Sequence, residues 1–128
     1  MQKRVIPGLV AAALLAPALA HAQAGAKLPD GVTPQMVEAG KAIYSGKGLC
    51  FACHGAKAEG AVGPKLVQHE WLHSKGTYPE IVAFIKKGVT PAEAKYGAKS
   101  GMPAKGGSAI TDEEVNQVAA YIYTISRK

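Results

Sequence analysis

Cys50-Phe51-Ala52-Cys53-His54 decides how the rest of the chain is read. These are the only two cysteines in 128 residues, and a histidine directly follows the second. Two intervening residues bring both thiols within one helical turn, where each can add across a vinyl group on one edge of a haem to form a thioether. The next residue then lies under the ring, and its imidazole offers iron a neutral nitrogen. The spacing therefore reads as a covalent attachment site for one haem c, with Cys50 and Cys53 as anchors and His54 as a metal ligand. Three plainer readings compete. A thiol–disulfide redox site wants a βαβ context, which the sequence lacks. Half of a zinc site wants a second Cys/His pair at finger-like spacing, and none is present. A structural disulfide would have to close a short, strained loop.

The beginning of the chain agrees with the haem reading. Lys3 and Arg4 precede a 16-residue run, Val5 to Ala20, that is apolar apart from Pro7, Gly8 and Pro17, and small residues close it at Ala18-Leu19-Ala20-His21-Ala22. That is the layout of a secretory signal peptide over residues 1–22, cleaved after Ala22 or Ala20. A short run with two prolines is a poor membrane-spanning helix, so no stable membrane insertion is expected after cleavage; a retained N-terminal anchor is the alternative. Haem attachment of this kind is made outside the cytoplasm, so the expected location is the periplasm.

Cleavage after Ala22 leaves 106 residues, one small domain, with 13 Lys and Arg against 9 Asp and Glu. That net charge of +4 falls to about +2 with two ionised haem propionates. It permits docking on an acidic protein partner. The lysines are scattered and the aromatics few, which argues against a nucleic-acid surface. No paired carboxylates or activated nucleophile appear, so no independent catalysis is expected. Glycine and proline are abundant and the chain's own core must be thin; small domains of this kind are often stapled by a cofactor.

Residues 23–32 read as a flexible lead, and 33–128 as the domain. Thr33-Pro34 starts a helix that runs to Tyr44, with Val37, Gly40 and Tyr44 on one face. Gly46-Lys47-Gly48 ends it before Leu49 and Cys50. Gly55 to Leu66 is a loop by composition, and within it the Pro64 carbonyl is free to accept a hydrogen bond from the His54 ring, or Pro64 merely shapes a turn. His69-Glu70-Trp71-Leu72-His73 matches the zinc-peptidase signature H-E-x-x-H. The short chain, a third ligand with only Glu80 or Glu93 as nearby candidates, and the turn residues Gly76, Thr77 and Pro79 weigh against zinc. The preferred reading is a short turn that sets Trp71 against an apolar surface, with His69 or His73 as alternative haem ligands.

Thr77 and Glu80 form a capping box for a helix through Lys87, stopped by Gly88, with Ile81, Phe84 and Ile85 as its buried stripe. Thr90-Pro91-Ala92-Glu93 repeats the capping pattern, but Gly97 leaves room for no more than about two helical turns. Gly97 to Ser108 is a long irregular stretch with one large side chain, Met102. A soft thioether in a glycine-rich loop, followed by Pro103, suits iron opposite a histidine; the alternative is a core-filling methionine. Thr111 to Glu114 is a second capping box, and Val115, Val118, Ala119, Ile122 and Ile125 recur at helical spacing behind it. This last helix is expected to cross the first at Gly40, which would admit an aromatic such as Tyr121. No stretch alternates with period two. The predicted fold is all-α, with three main helices and long loops.

Cys50-x-x-Cys53-His54, Gly63-Pro64-x-Leu66, Gly101-Met102-Pro103 and Val118-Ala119-Ala120-Tyr121-Ile122 stand in the order found in class I c-type cytochromes, and the chain resembles that family over residues 33 to 126. The resemblance implies the cytochrome c fold around one covalently bound haem, with His54 and Met102 as axial ligands and Pro64 as the acceptor behind His54. It implies Leu66 and Trp71 in the haem environment, and Gly40, Tyr44 and Tyr121 at the crossing of first and last helices. In pattern the stretch from Trp71 to Met102 is most similar to haem domains of cbb-type terminal oxidase subunits. The implied role is a periplasmic monohaem carrier of single electrons between redox proteins. The alternative is a small haem subunit of a dehydrogenase or terminal oxidase. Lys47, Lys57, Lys65, Lys99 and Lys105 are candidates for a charged docking rim, or ordinary solvated lysines. A haem enzyme or gas sensor with an exchangeable sixth position stays open beside the zinc peptidase.

Overall fold

The computed structural model describes residues 27–67, 70–96 and 100–127. The signal peptide expected at 1–22, His69 and Lys99 lie outside the described residues. The order is α1 (Pro34–Ser45), α2 (Cys50–His54), α3 (Tyr78–Lys87), a 3₁₀ turn (Ala104–Gly107) and α4 (Asp112–Ile125). The fold is all-α, as the periodicity predicts.

Each long helix starts where its cap does. The Thr33 hydroxyl accepts from the Met36 amide at 3.2 Å, and Pro34 sits where a missing amide costs nothing. At α4 the box is reciprocal: the Thr111 amide donates to Glu114 at 2.9 Å and the Glu114 amide to the Thr111 hydroxyl at 3.2 Å. Asp112, Glu113 and Glu114 add negative charge at the positive end of the helix dipole. The Thr77 amide donates to Glu80 at 3.0 Å at the start of α3.

α1 and α4 cross at Gly40. A methyl group there would fall on the Gln117 carbonyl, 2.6 Å from its carbon, and 3.0 Å from Tyr121 Cβ. The glycine thus admits chiefly backbone, not the aromatic ring that the sequence suggests. The ring packs beside it: Tyr44 and Tyr121 meet edge to face with centroids 5.5 Å apart. α3 lays Ile81 and Ile85 against α4, where Val115, Val118 and Ile122 are buried, and Tyr78 donates its hydroxyl to the Asn116 carbonyl at 3.1 Å.

Three local expectations change. Val32, at the end of the supposed flexible lead, is buried, and its amide closes a turn onto the Pro29 carbonyl at 3.1 Å. Thr90 to Glu93 makes a single turn instead of a helix: the Glu93 carboxylate caps Thr90, and the turn ends at once. One rung of antiparallel pairing joins Val89 to Met102. A single rung has no alternating pattern to betray it.

Candidate functional site

α2 is only five residues long, too short to hold itself together. Its neighbours hold it. The fully buried Tyr44 on α1 donates its hydroxyl to the Gly55 carbonyl at 2.8 Å. Burial, first of all, pushes the Tyr44 phenol far above its ordinary pKa, so it remains a donor throughout the accessible pH range. The Gly60 amide reaches the His54 carbonyl at 2.8 Å, and the Gly63 amide reaches the Cys53 carbonyl at 2.7 Å. The loop that follows α2 is thereby folded back over its C-terminal end.

This return brings Pro64 behind His54. Nδ1 of the ring lies 2.8 Å from the Pro64 carbonyl oxygen. A carbonyl can only accept, so Nδ1 carries the proton and the Nε2 lone pair is left for another partner. Burial lowers the His54 pKa, and the Pro64 hydrogen bond opposes this only in part, so the neutral imidazole is favoured. Cys50 is half-buried and Cys53 exposed. Burial pushes the Cys50 thiol up to about 11. It is a protonated thiol at neutral pH, whereas thiol–disulfide exchange needs a thiolate.

Cys50, Cys53, His54, Pro64, Leu66, Trp71 and Met102 all line one open cleft. Ile81, Phe84 and Ile85 of α3 and Ile122 of α4 contribute further apolar wall. Leu49, Val62, Leu72 and Tyr96, each more than a third exposed, stand around it. Exposed apolar groups gathered at one opening mark a ligand groove. The lining brings together the His54 imidazole, the Met102 thioether and two thiols with two residues between them, which is the donor set a covalently held haem requires, and its walls suit a large flat apolar ring.

The cleft sets one methionine apart from the other. Met36 does not line it, whereas Met102 does. His73 lines it too, its ring 5.4 Å from that of Phe84. Residues 70–77 contain no helix, so the described part of the H-E-x-x-H segment lacks the helical frame that would align two ligands one turn apart. Trp71 lies over Gly76 and packs against the core, as a turn-borne tryptophan should. Val89, Lys95 and Ile110 belong to the lining and carry no sequence signal: each is a single residue in irregular backbone. Two proposed rim lysines carry ion pairs, and one of them, Lys105, also lines the cleft. Lys47 pairs with Glu114, and Lys105 pairs with Asp112 at 2.9 Å. Lys57 and Lys65 are exposed, with no ion pair among the described residues.

A helical frame with C-x-x-C-H and a methionine in one apolar cleft defines a class I c-type cytochrome, a haem-based electron carrier. Residues 35–122 match the family described as cytochrome C oxidase, cbb3-type, subunit III, and the chain belongs to that family. Among curated proteins, the chain is 33% identical over 94 residues to the cbb3-type cytochrome c oxidase subunit CcoP of Rubrivivax gelatinosus, covering 73% of this chain and 27% of that protein. It is 34% identical over 83 residues to the subunit CcoP of Azospirillum brasilense, covering 62% and 28%. The chain thus spans about a quarter of the length of these relatives. A solved structure, cytochrome CL from Methylophaga aminisulfidivorans, is 21% identical with a TM-score of 0.44, covering 71% of this chain and 53% of its own.

Proposed function

We propose that this protein carries single electrons between redox proteins outside the cytoplasm, using one haem c held through Cys50 and Cys53, with His54 and Met102 as the two axial ligands. The observation that carries the reading is the hydrogen bond from His54 to Pro64 beside the cysteine pair, within a cleft that Met102 also lines. Haem bound there supplies an iron that alternates between ferrous and ferric states. The chain's own residues do the rest. Pro64 holds the His54 ring in one tautomer and orientation. Met102 would offer the iron its thioether from the opposite wall, a donor that favours the reduced state and would keep small ligands away. Leu66, Trp71 and the α3 side chains exclude water. With His54 and Met102 both held by the fold, little of the chain would have to move on electron transfer.

The signal-peptide pattern at 1–22 supports export to the periplasm. Among the described residues no helix is long and apolar enough to cross a membrane. Lys57 and Lys65 offer positive charge for a brief, electrostatically steered encounter with an acidic partner. A second reading, a haem subunit within a terminal oxidase complex, is favoured by the relatives' being oxidase subunits. A dehydrogenase subunit would use the same site.

Redox titration of the purified protein tests the proposal. A one-electron Nernst curve, no carbon monoxide binding in the reduced state and a lower potential in Met102→Ala are expected. Carbon monoxide binding to the unaltered reduced protein would favour a sensor or haem enzyme. Zinc without iron on metal analysis would favour a peptidase built on His69, Glu70 and His73.

A further inference from the structure

Met102 sits in a glycine-rich stretch that has every reason to wander. Two hydrogen bonds stop it. The Met102 amide donates to the Val89 carbonyl at 2.7 Å, and the Val89 amide donates back to the Met102 carbonyl at 2.7 Å. Val89 follows directly on Gly88, the residue that caps α3. The same helix supplies Ile81, Phe84 and Ile85 to the cleft wall. The backbone of Met102 is therefore referenced to the wall itself, across 12 residues of intervening chain.

The rung can close only because glycines flank it. Gly88 has φ +73°, and a methyl group on it would lie 2.7 Å from the Ala104 nitrogen and 2.8 Å from the Pro103 carbonyl carbon. Gly101 has φ +69°, and a methyl group there would lie 2.9 Å from both the Pro91 nitrogen and the Thr90 carbonyl carbon. Each glycine thus abuts the opposite strand. A side chain at either position meets backbone, which cannot swing aside, and also demands a left-handed conformation.

We infer that the Val89–Met102 rung is a clamp on the sixth iron ligand, and that Gly88 and Gly101 are positioning residues whose bare backbones let it close. The inference rests on the reading of Met102 as that ligand. A thioether is a weak ligand, and a ligand on an untethered loop is lost whenever the loop opens locally. The rung holds the sulfur's backbone in place in both oxidation states.

The test compares Gly88→Ala, Gly101→Ala and Met102→Ala in the haem-loaded, full-length protein. The ferric protein's far-red sulfur-to-iron band, carbon monoxide binding to the ferrous protein and the reduction potential are read for each. Met102→Ala should abolish the band, admit carbon monoxide and lower the potential. Both glycine variants should weaken or lose the band and admit carbon monoxide with Met102 still present and helical circular dichroism unchanged. Loss of the band in Met102→Ala but wild-type behaviour in both glycine variants would overturn the clamp alone. An unaltered band in Met102→Ala would overturn the ligand reading beneath it. Should the glycine variants not fold, amide exchange of the unaltered protein decides: slow exchange at Val89 and Met102 is expected, and exchange as fast as in the loop on either side would contradict the clamp.

Discussion

Tyr44 acts through its two ends: its ring fills the α1–α4 crossing against Tyr121, and its hydroxyl holds the Gly55 carbonyl directly after His54. Removing the hydroxyl keeps the packing and strands the carbonyl. Tyr44→Phe should therefore cost about 1–3 kcal/mol, the penalty for a polar group left without its partner, read as a lower urea midpoint at unchanged slope. Gly40→Ala makes a different demand, because its methyl meets the Gln117 carbonyl and the helices must part. A loss of about 1–3 kcal/mol is expected from overpacking, measured in the same way. His54 and the two cysteines were legible from sequence because their chemistry is strictly local. Pro64 was less so: the residues alone left it as an acceptor or a turn former, the family resemblance implied the acceptor, and the 2.8 Å contact to His54 agrees with that.

At the scale of elements, the ends of α3 and α4 and the turn after Met102 are joined through one carboxylate. Asp112 accepts from Lys86 of α3 at 3.0 Å and from Lys105 at 2.9 Å. Lys105 first, then Lys86, holds the Asp112 pKa below its ordinary value. A carboxyl whose folded pKa is depressed stabilises the fold fully above its unfolded pKa, about 4, and loses that contribution as pH falls through the folded value. Asp112→Asn should therefore flatten the acid limb of a stability–pH profile below about pH 4, and high salt should reduce the difference between the two proteins. Capped helices were readable in advance because each cap lies within four residues of what it caps. The rung between Val89 and Met102 was not, since one pair of hydrogen bonds across 12 intervening residues leaves no periodic trace. Thr90 to Glu93 misled for a related reason: the carboxylate caps the turn as expected, but no apolar stripe follows to reward a helix.

At the scale of the molecule, α1 packs on α4, and the cleft opens between α2, α3, Ile122 of α4 and the loops that join them. The core of buried side chains lies mostly on the α1–α4 and α3–α4 contacts, while Cys50, Trp71 and Met102 only border it. Composition foretold this division, because a glycine-rich chain of this length has too few large apolar residues for a second layer. It could not foretell which lysines stay available: Lys47 and Lys105 are drawn into ion pairs with α4, and pairing depends on the finished fold. Electron exchange with an acidic partner should therefore slow as ionic strength rises, and Lys65→Glu should slow it more than Lys47→Glu, as measured by stopped-flow mixing.

The central claim is a haem fixed by two thioethers, and a pyridine haemochrome spectrum taken after acid–acetone extraction of the denatured protein tests it most directly. One haem per chain, retained in the protein pellet with the band position of a porphyrin whose two vinyl groups are both saturated, is the predicted result. A colourless pellet from a chain that had folded and been exported normally would contradict it.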